Sequence, residues 1–330
     1  MLSKLIAAGR PLLADGATGT NLIEAGLVSG ECAELWNETH PDRILALHQS
    51  FVDAGADIIL TNSFGANRRR LGLRDLSARA KELSRRAAQN ARAVADRAGR
   101  PVVVAGSVGP TGEMLAPLGR LGEDEAMEIF VEQIEGLMNG GADLVWIETM
   151  SALEEARAAA RAAIALGAPY TATASFDTAG RTMMGLAPVA FARAFDDLTP
   201  PPLAVGANCG VGAADLLVSV LAMTDARPDA IVIAKANAGL PQWRDGHVHY
   251  SGSPELMGRY AALAIDAGAR IVGGCCGNSP AHVAAMRRAL DEGRRVPRPD
   301  LAAIEAALGK LVAPPAADGG RRRRRSQEGG

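Results

Sequence analysis

Aromatic residues are scarce in this chain: Phe, Trp and Tyr together make up 4% of 330 residues. A chain so poor in rings has few faces on which to stack bases or cage a cation, so such a site would rest on a handful of positions. An excess of charge is also lacking. The formal net charge of -2 gives no electrostatic reason to expect nucleic acid as a partner. No stretch reaches the roughly 18 apolar residues that a membrane-spanning helix needs. Met1 to Arg10 carries a short apolar patch, without the basic segment and long apolar core of an export signal. Four cysteines are too few for a disulfide scaffold in a chain this long, and they lack the CxxC spacing of structural zinc motifs. GxGxxG is missing as well. After the first apolar run, Asp15-Gly16-Ala17-Thr18-Gly19-Thr20 spaces its glycines wrongly for a dinucleotide loop. These absences point to a cytoplasmic protein without nucleic-acid or membrane partners.

What is present is a regular alternation. Apolar runs that read as buried strands lie at about 12–15, 57–61, 101–106, 143–148, 169–176, 203–208, 230–235 and 269–274. Amphipathic stretches separate them, near 41–54, 75–98, 123–139, 151–166, 188–197, 212–225, 253–267 and 279–291. Gly140-Gly141, Gly167 and Gly268 stand where helix C-caps belong, just before the next strand. Eight strand–helix units in one chain of this length predict an α/β fold, a single closed (β/α)8 TIM barrel over residues 1–312. An open doubly wound sheet is the alternative. Beyond the barrel, 313–330 holds Pro314-Pro315, Gly319-Gly320 and the run Arg321 to Arg325 without apolar periodicity, and reads as a disordered basic tail.

In a barrel, chemistry collects where strands end and βα loops begin. The polar residues at those ends are Asp15, Thr61, Asn62, Ser107, Glu148, Asn208, Cys209, Lys235, Asn237, Cys275 and Cys276. Ile271-Val272-Gly273-Gly274-Cys275-Cys276-Gly277 ends a strand in two adjacent cysteines, and neighbouring strand residues point to opposite faces. Both thiols can reach one ion only if the strand breaks there, and Gly273, Gly274 and Gly277 permit the break. Ala207-Asn208-Cys209-Gly210 ends another strand in the same way. Three thiolates at two strand ends suit a zinc ion (Zn2+) with an open fourth position, the mark of a catalytic rather than a structural site.

Each residue has a plainer role open to it. A lone strand-end cysteine is more often a small buried hydrophobe than a ligand. Asp15 before Gly16 suits an Asx-type turn. Glu148 could cap the helix that follows, although an ionised carboxylate ending so apolar a strand is costly unless paired. Lys235 could be a buried ion-pair partner. His247 and His249 alternate in what reads as a loop, and with three thiolates available they are read as hydrogen-bonding groups. Cys32 has no partner cysteine nearby and reads as a bystander.

Asp15-Gly16-Ala17-Thr18-Gly19-Thr20, Thr61-Asn62-Ser63-Phe64, Gly106-Ser107-Val108-Gly109-Pro110, Asn208-Cys209-Gly210 and Gly273-Gly274-Cys275-Cys276-Gly277 occur in order over about residues 10 to 290. In this the chain resembles the homocysteine S-methyltransferase family, which includes betaine–homocysteine methyltransferases and the homocysteine-binding module of cobalamin-dependent methionine synthase. The resemblance implies zinc held by Cys209, Cys275 and Cys276, with the homocysteine sulfur as exchangeable fourth ligand. It implies that Asp15 and Glu148 hold the homocysteine amino group and that backbone amides of the first loop, around Gly16 and Ala17, receive its carboxylate. Asn62, Phe64 and Asn208 complete the expected substrate site. The expected activity is methyl transfer from betaine or a related onium donor to homocysteine, giving methionine. The alternatives are a methionine-synthase module served by a separate corrinoid protein, and a non-catalytic zinc or thiol-binding protein. A homo-oligomer is compatible with all three. One departure from the betaine enzymes concerns the donor: where they resemble one another in an aromatic residue after the strand-four glutamate, this chain has Thr149. Trp36, Phe64, Trp243 and Tyr250 are the remaining rings that could face a quaternary ammonium.

Overall fold

The computed structural model describes residues 1–312 except Ser29, Asp245, Gly246 and Arg295, and within 241–250 the side chains of Gln242, His249 and Tyr250 only. The expected tail at 313–330 and the side chains of Trp243 and His247 therefore lie outside the described residues.

Eight parallel strands form the body: β1 (Leu12–Leu13), β2 (Ile58–Leu60), β3 (Val103–Val108), β4 (Leu144–Met150), β5 (Tyr170–Ala174), β6 (Val205–Cys209), β7 (Val232–Ala236) and β10 (Ile271–Gly274). Their hydrogen-bonded order is β1-β10-β7-β6-β5-β4-β3-β2. The two ends of that order meet. Ala14 bridges Ile58 in parallel, the Asp15 amide donates to the Ile58 carbonyl at 3.0 Å, and the Asp57 amide donates to the Leu13 carbonyl at 2.7 Å. The sheet is thus a closed (β/α)8 barrel, and the open-sheet alternative is excluded.

Strand alternation separates two cores. Leu12, Ala14, Ile58, Leu60, Val103, Ala105, Leu144, Trp146, Ala204, Ile233 and Ile271 fill the interior. Residues of opposite parity, such as Leu13, Ile59, Val104, Val145, Ile147 and Val272, pack outward against the helices. The short apolar patch at the N-terminus has a use here. Helix Leu2–Ala7 places Leu2, Leu5 and Ile6 against the interior cluster and stoppers the barrel. Trp146 fills the interior with no exposure; truncating such a residue to Ala costs about 3–5 kcal/mol.

The helix stops fall where the glycines stand, with Gly141, Gly167 and Gly268 at positive φ. Two helices are shorter than their sequence pattern: 75–98 is helical as Ala80–Ala95 and 188–197 as Pro188–Ala192. The segment holding His247 and His249 is not a loop. It is the second strand of an antiparallel hairpin, β8 (Pro241–Arg244) with β9 (His247–Tyr250), inserted after β7.

Candidate active site

At the C-terminal end of the barrel lies a cavity of about 300 Å³. Cys209, Cys275, Cys276, Glu148, Gly16, Ala17, Asn62 and Phe64 line it, as expected from sequence, together with Thr61, Ser107 and Lys235 from the strand ends, Thr149, and Glu34, which was not foreseen there. Asp15 and Asn208 do not line it; they lie behind its wall.

Three backbone devices bring the thiols together. Cys209 ends β6 with φ 63, a left-handed conformation that swings its side chain off the strand's alternation. β10 ends at Gly274, and Gly277 turns at φ 79, so Cys275 and Cys276 leave the strand between them. Gly273 and Gly274 serve differently from expectation: they remain in the strand and make room. A Cβ at Gly273 would lie 2.9 Å from the Ala14 Cβ, and one at Gly274 would lie 2.4 Å from Asn278. The buried Asn278 ties the turn, its Nδ2 donating to the carbonyls of Ala236 at 2.9 Å and Cys275 at 3.1 Å. Asn237 joins the two cysteine loops, donating to the Gly210 carbonyl and accepting from the Cys276 amide.

The sulfurs of Cys209, Cys275 and Cys276 all lie within 4.8 Å of one another, and Cys209 and Cys276 are 3.8 Å apart. Zinc–sulfur bonds of about 2.3 Å in a tetrahedron place sulfurs about 3.8 Å apart, so the donor set fits zinc in type and spacing. Packed together, the thiols resist ionisation. Cys275 is pushed up by its hydrogen bond to Cys209 and by burial. For Cys209, a hydrogen bond with Cys275 lowers the pKa, but the Cys276 contact and burial outweigh it and bring the thiol to about 12. A cation among them would reverse this preference. Cys32 is remote: it sits in a separate apolar cluster and donates to Glu34 at 3.3 Å.

Glu148 ends the regular part of β4 and is 7% exposed. Ser107 Oγ donates to its Oε1 at 2.5 Å. Burial raises its pKa, opposed by the positive charge of Lys235 and by the Ser107 hydrogen bond. Asp15 is fully engaged beneath the cavity. Its Oδ2 accepts the Leu60 amide at 2.7 Å and its Oδ1 meets Lys235 Nζ at 2.8 Å, with both side chains at most 2% exposed. Burial acts against charge on both partners, raising Asp15 and working to lower Lys235. For Lys235 the attraction of Asp15 and Glu148 outweighs burial and holds it protonated, which makes the 2.8 Å contact an ion pair.

The remaining expected residues have mixed roles. Asn62 lines the cavity, but its Nδ2 is given to the Ala33 carbonyl at 2.7 Å and to Asn37 at 3.3 Å. The Ala17 amide donates to the Asn278 carbonyl at 3.0 Å, and a Cβ at Gly16 would meet that same carbonyl oxygen at 2.5 Å. Phe64 presents its ring to the cavity, with the Arg70 guanidinium 5.5 Å from the ring centroid. Trp36 lies in its own apolar cluster under Arg43, and Tyr250 packs beside Gly277. Asn208 is fully buried and hydrogen-bonds Thr149 and Thr173.

A model of the family described as homocysteine S-methyltransferase matches residues 12–290. The methionine synthase of Mycobacterium tuberculosis is 33% identical over 306 residues, covering 88% of this chain and 25% of its own length. That of Mycobacterium leprae is 33% identical over 293 residues, covering 84% of this chain and 24% of its own. The chain thus spans about a quarter of these relatives. Among solved structures, the metallated homocysteine methyltransferase MmuM of Escherichia coli aligns with a TM-score of 0.72 at 24% identity, over 87% of this chain and 99% of that one. At this identity the likeness bears on the fold.

Proposed function

The chain belongs to the homocysteine S-methyltransferase family, and from that premise we propose that it methylates the sulfur of homocysteine to give methionine at a zinc ion held by Cys209, Cys275 and Cys276. The observation that carries the reading is the sulfur triangle opening onto a cavity that also holds a buried carboxylate, Glu148. Zinc, when bound, withdraws the proton from a thiol whose ordinary pKa is about 8.5 and so supplies a thiolate nucleophile at neutral pH.

The chain's own residues do the rest. Glu148, held by Ser107, receives the substrate ammonium in a charge-assisted hydrogen bond. Asp15 contributes from behind, through Lys235 and the Leu60 amide, by fixing the strand end from which the first loop departs. With the Ala17 amide given to Asn278, the amides of Thr18 and Gly19 are those assigned to the substrate carboxylate. The thus anchored sulfur attacks the donor methyl carbon with its electron pair. A carbon–sulfur bond forms, and the bond from methyl to its former carrier breaks with its electrons leaving on the carrier.

For the donor we infer a methyl-corrinoid carried by another protein, ahead of betaine. Phe64 is the one ring among the described residues lining the cavity, and an arginine already lies over it, whereas quaternary ammonium recognition draws on several ring faces. The sequence relatives, named methionine synthases, lean the same way. Betaine or another onium compound is the second reading, favoured by the Glu34 carboxylate in the cavity wall beside Phe64. No described helix is long and apolar enough to cross a membrane, and free thiols suit the reducing cytoplasm. Incubating zinc-loaded protein and homocysteine with betaine alone or methylcobalamin alone tests both readings. Methionine from methylcobalamin alone supports the first donor, methionine from betaine alone the second, and methionine from neither rejects betaine and free methylcobalamin as donors.

A further inference from the structure

β4 contains one residue too many. Leu144 and Trp146 face the barrel interior while Val145 and Ile147 face outward. Pairing with β5 then slips: Ile147 opposes Ala172 and Met150 opposes Ala174, so Glu148 and Thr149 together face Thr173 alone. This is a β-bulge, a device that re-aims a side chain beside a site. Its effect is visible in parity. Met150, an even-numbered residue like Trp146, joins the outer core, while Glu148 and Thr149 both line the cavity.

The bulge is held in a costly conformation. Thr149 has φ 63, and it is the one β-branched residue at positive φ among the described residues. Such a residue persists only where its surroundings over-determine it. Here the surroundings are chiefly one side chain. Asn208, fully buried on β6, accepts the Thr149 amide on Oδ1 at 2.8 Å and donates from Nδ2 to Thr149 Oγ1 at 2.7 Å. Its Oδ1 also accepts Thr173 Oγ1 at 2.7 Å, and its Nδ2 lies 3.8 Å from Cys275 Sγ. Glycine at 149 would relax the backbone, but it would remove the hydroxyl that Asn208 grips.

We propose that Asn208 and the left-handed Thr149 form a single positioning unit that aims Glu148 at the substrate amino group and ties that aim to the metal-side thiol Cys275. The unit rests on the reading that Glu148 receives the homocysteine ammonium. Asn208 is thereby a positioning residue and touches no substrate. The unit makes amino-group recognition, rather than thiol binding, the property sensitive to residues 149 and 208.

The test uses the full zinc-loaded chain and two ligands that share a thiol, homocysteine and its desamino analogue. Their affinities are measured by calorimetry, with zinc content and melting temperature followed alongside. Wild type should prefer homocysteine by about tenfold or more, the worth of a charge-assisted hydrogen bond. Thr149→Ser keeps the hydroxyl and should hold that ratio within about twofold. Thr149→Gly adopts the backbone without penalty and should fold, yet the ratio should drop by about fivefold or more with zinc retained. Asn208→Asp, which has no donor for Cys275 Sγ and turns Thr149 Oγ1 from acceptor to donor, should act likewise. A preference intact in both Thr149→Gly and Asn208→Asp overturns the positioning unit while leaving the functional reading untouched. Equal weakening of both ligands assigns these residues to general structure and overturns it too. Absence of any preference in wild type removes the reading of Glu148 itself, and the unit with it.

Discussion

Replacing Lys235 by Met probes the deepest electrostatic commitment in the barrel. Lys235 and Asp15 are 2% and 1% exposed and meet at 2.8 Å. Met keeps most of the length of the side chain but loses the ammonium that lies 5.9 Å from the Trp146 ring centroid, and it leaves the Asp15 carboxylate buried with only the Leu60 amide as partner. Breaking a buried pair from one side costs about 3–5 kcal/mol. For a chain of this size that corresponds to a fall in melting temperature of roughly 4–8 °C. The double variant Lys235→Met, Asp15→Asn removes both charges and preserves an acceptor for the Leu60 amide, so it should recover most of the loss. Thermal and urea denaturation of the four proteins in the cycle measure this coupling. A single-variant cost below about 1 kcal/mol, typical of an exposed pair, would refute the reasoning, as would a double variant whose loss is the sum of the singles. The same double variant separates support from contact. If Asp15 itself gripped the ammonium, homocysteine binding would fall about tenfold; with Glu148 as the acceptor it should change by no more than about threefold.

Glu148→Gln should weaken homocysteine by about tenfold to a hundredfold, leave the desamino analogue unchanged and keep zinc bound, since a charge-assisted hydrogen bond contributes about 1.5–3 kcal/mol; binding and metal analysis check it, and loss of zinc would contradict it. Cys275→Ala with Cys276→Ala should abolish zinc retention in a protein that still melts cooperatively, whereas Cys32→Ala should retain the metal in full. His48, buried with no partner on Nε2, has its pKa lowered by burial from 6.5 to about 4. Its neutral form therefore supports the fold fully above about pH 6.5, and that support is lost as pH falls toward 4. Between pH 7 and pH 5 the loss should be about 2 kcal/mol, and His48→Leu should abolish this part of the pH dependence in urea titrations.

The barrel was legible because its signals are local and repeat: apolar runs such as Val102 to Ala105, amphipathic stretches, and glycines at the helix ends. The thiol triangle was legible because adjacent cysteines among glycines have few other uses. The hairpin after β7 went unread, although Asp245-Gly246 between alternating residues is a hairpin-turn signal. The bulge at Glu148 and Thr149 carried no signal. No glycine marks it, because Asn208, some sixty positions away in the chain, replaces glycine's freedom with hydrogen bonds. The sequence marks Asn208 as a site residue through its place beside Cys209, but its hydrogen-bond partners come from β4, β5 and the Cys275 turn, a convergence that only folding creates. Asp15 is similar. Its position was evident, but its engagement by Lys235, 220 residues away, depends on barrel closure.

If homocysteine sulfur completes a zinc site built from three cysteines, the neighbours of the metal must change when the substrate binds. X-ray absorption at the zinc edge, on stoichiometrically loaded protein with and without homocysteine, measures this directly. Three sulfur neighbours at about 2.3 Å plus one lighter atom are expected in the free protein, becoming four sulfurs on saturation with homocysteine. A sulfur count that does not rise on binding, or fewer than three sulfurs without substrate, would contradict it.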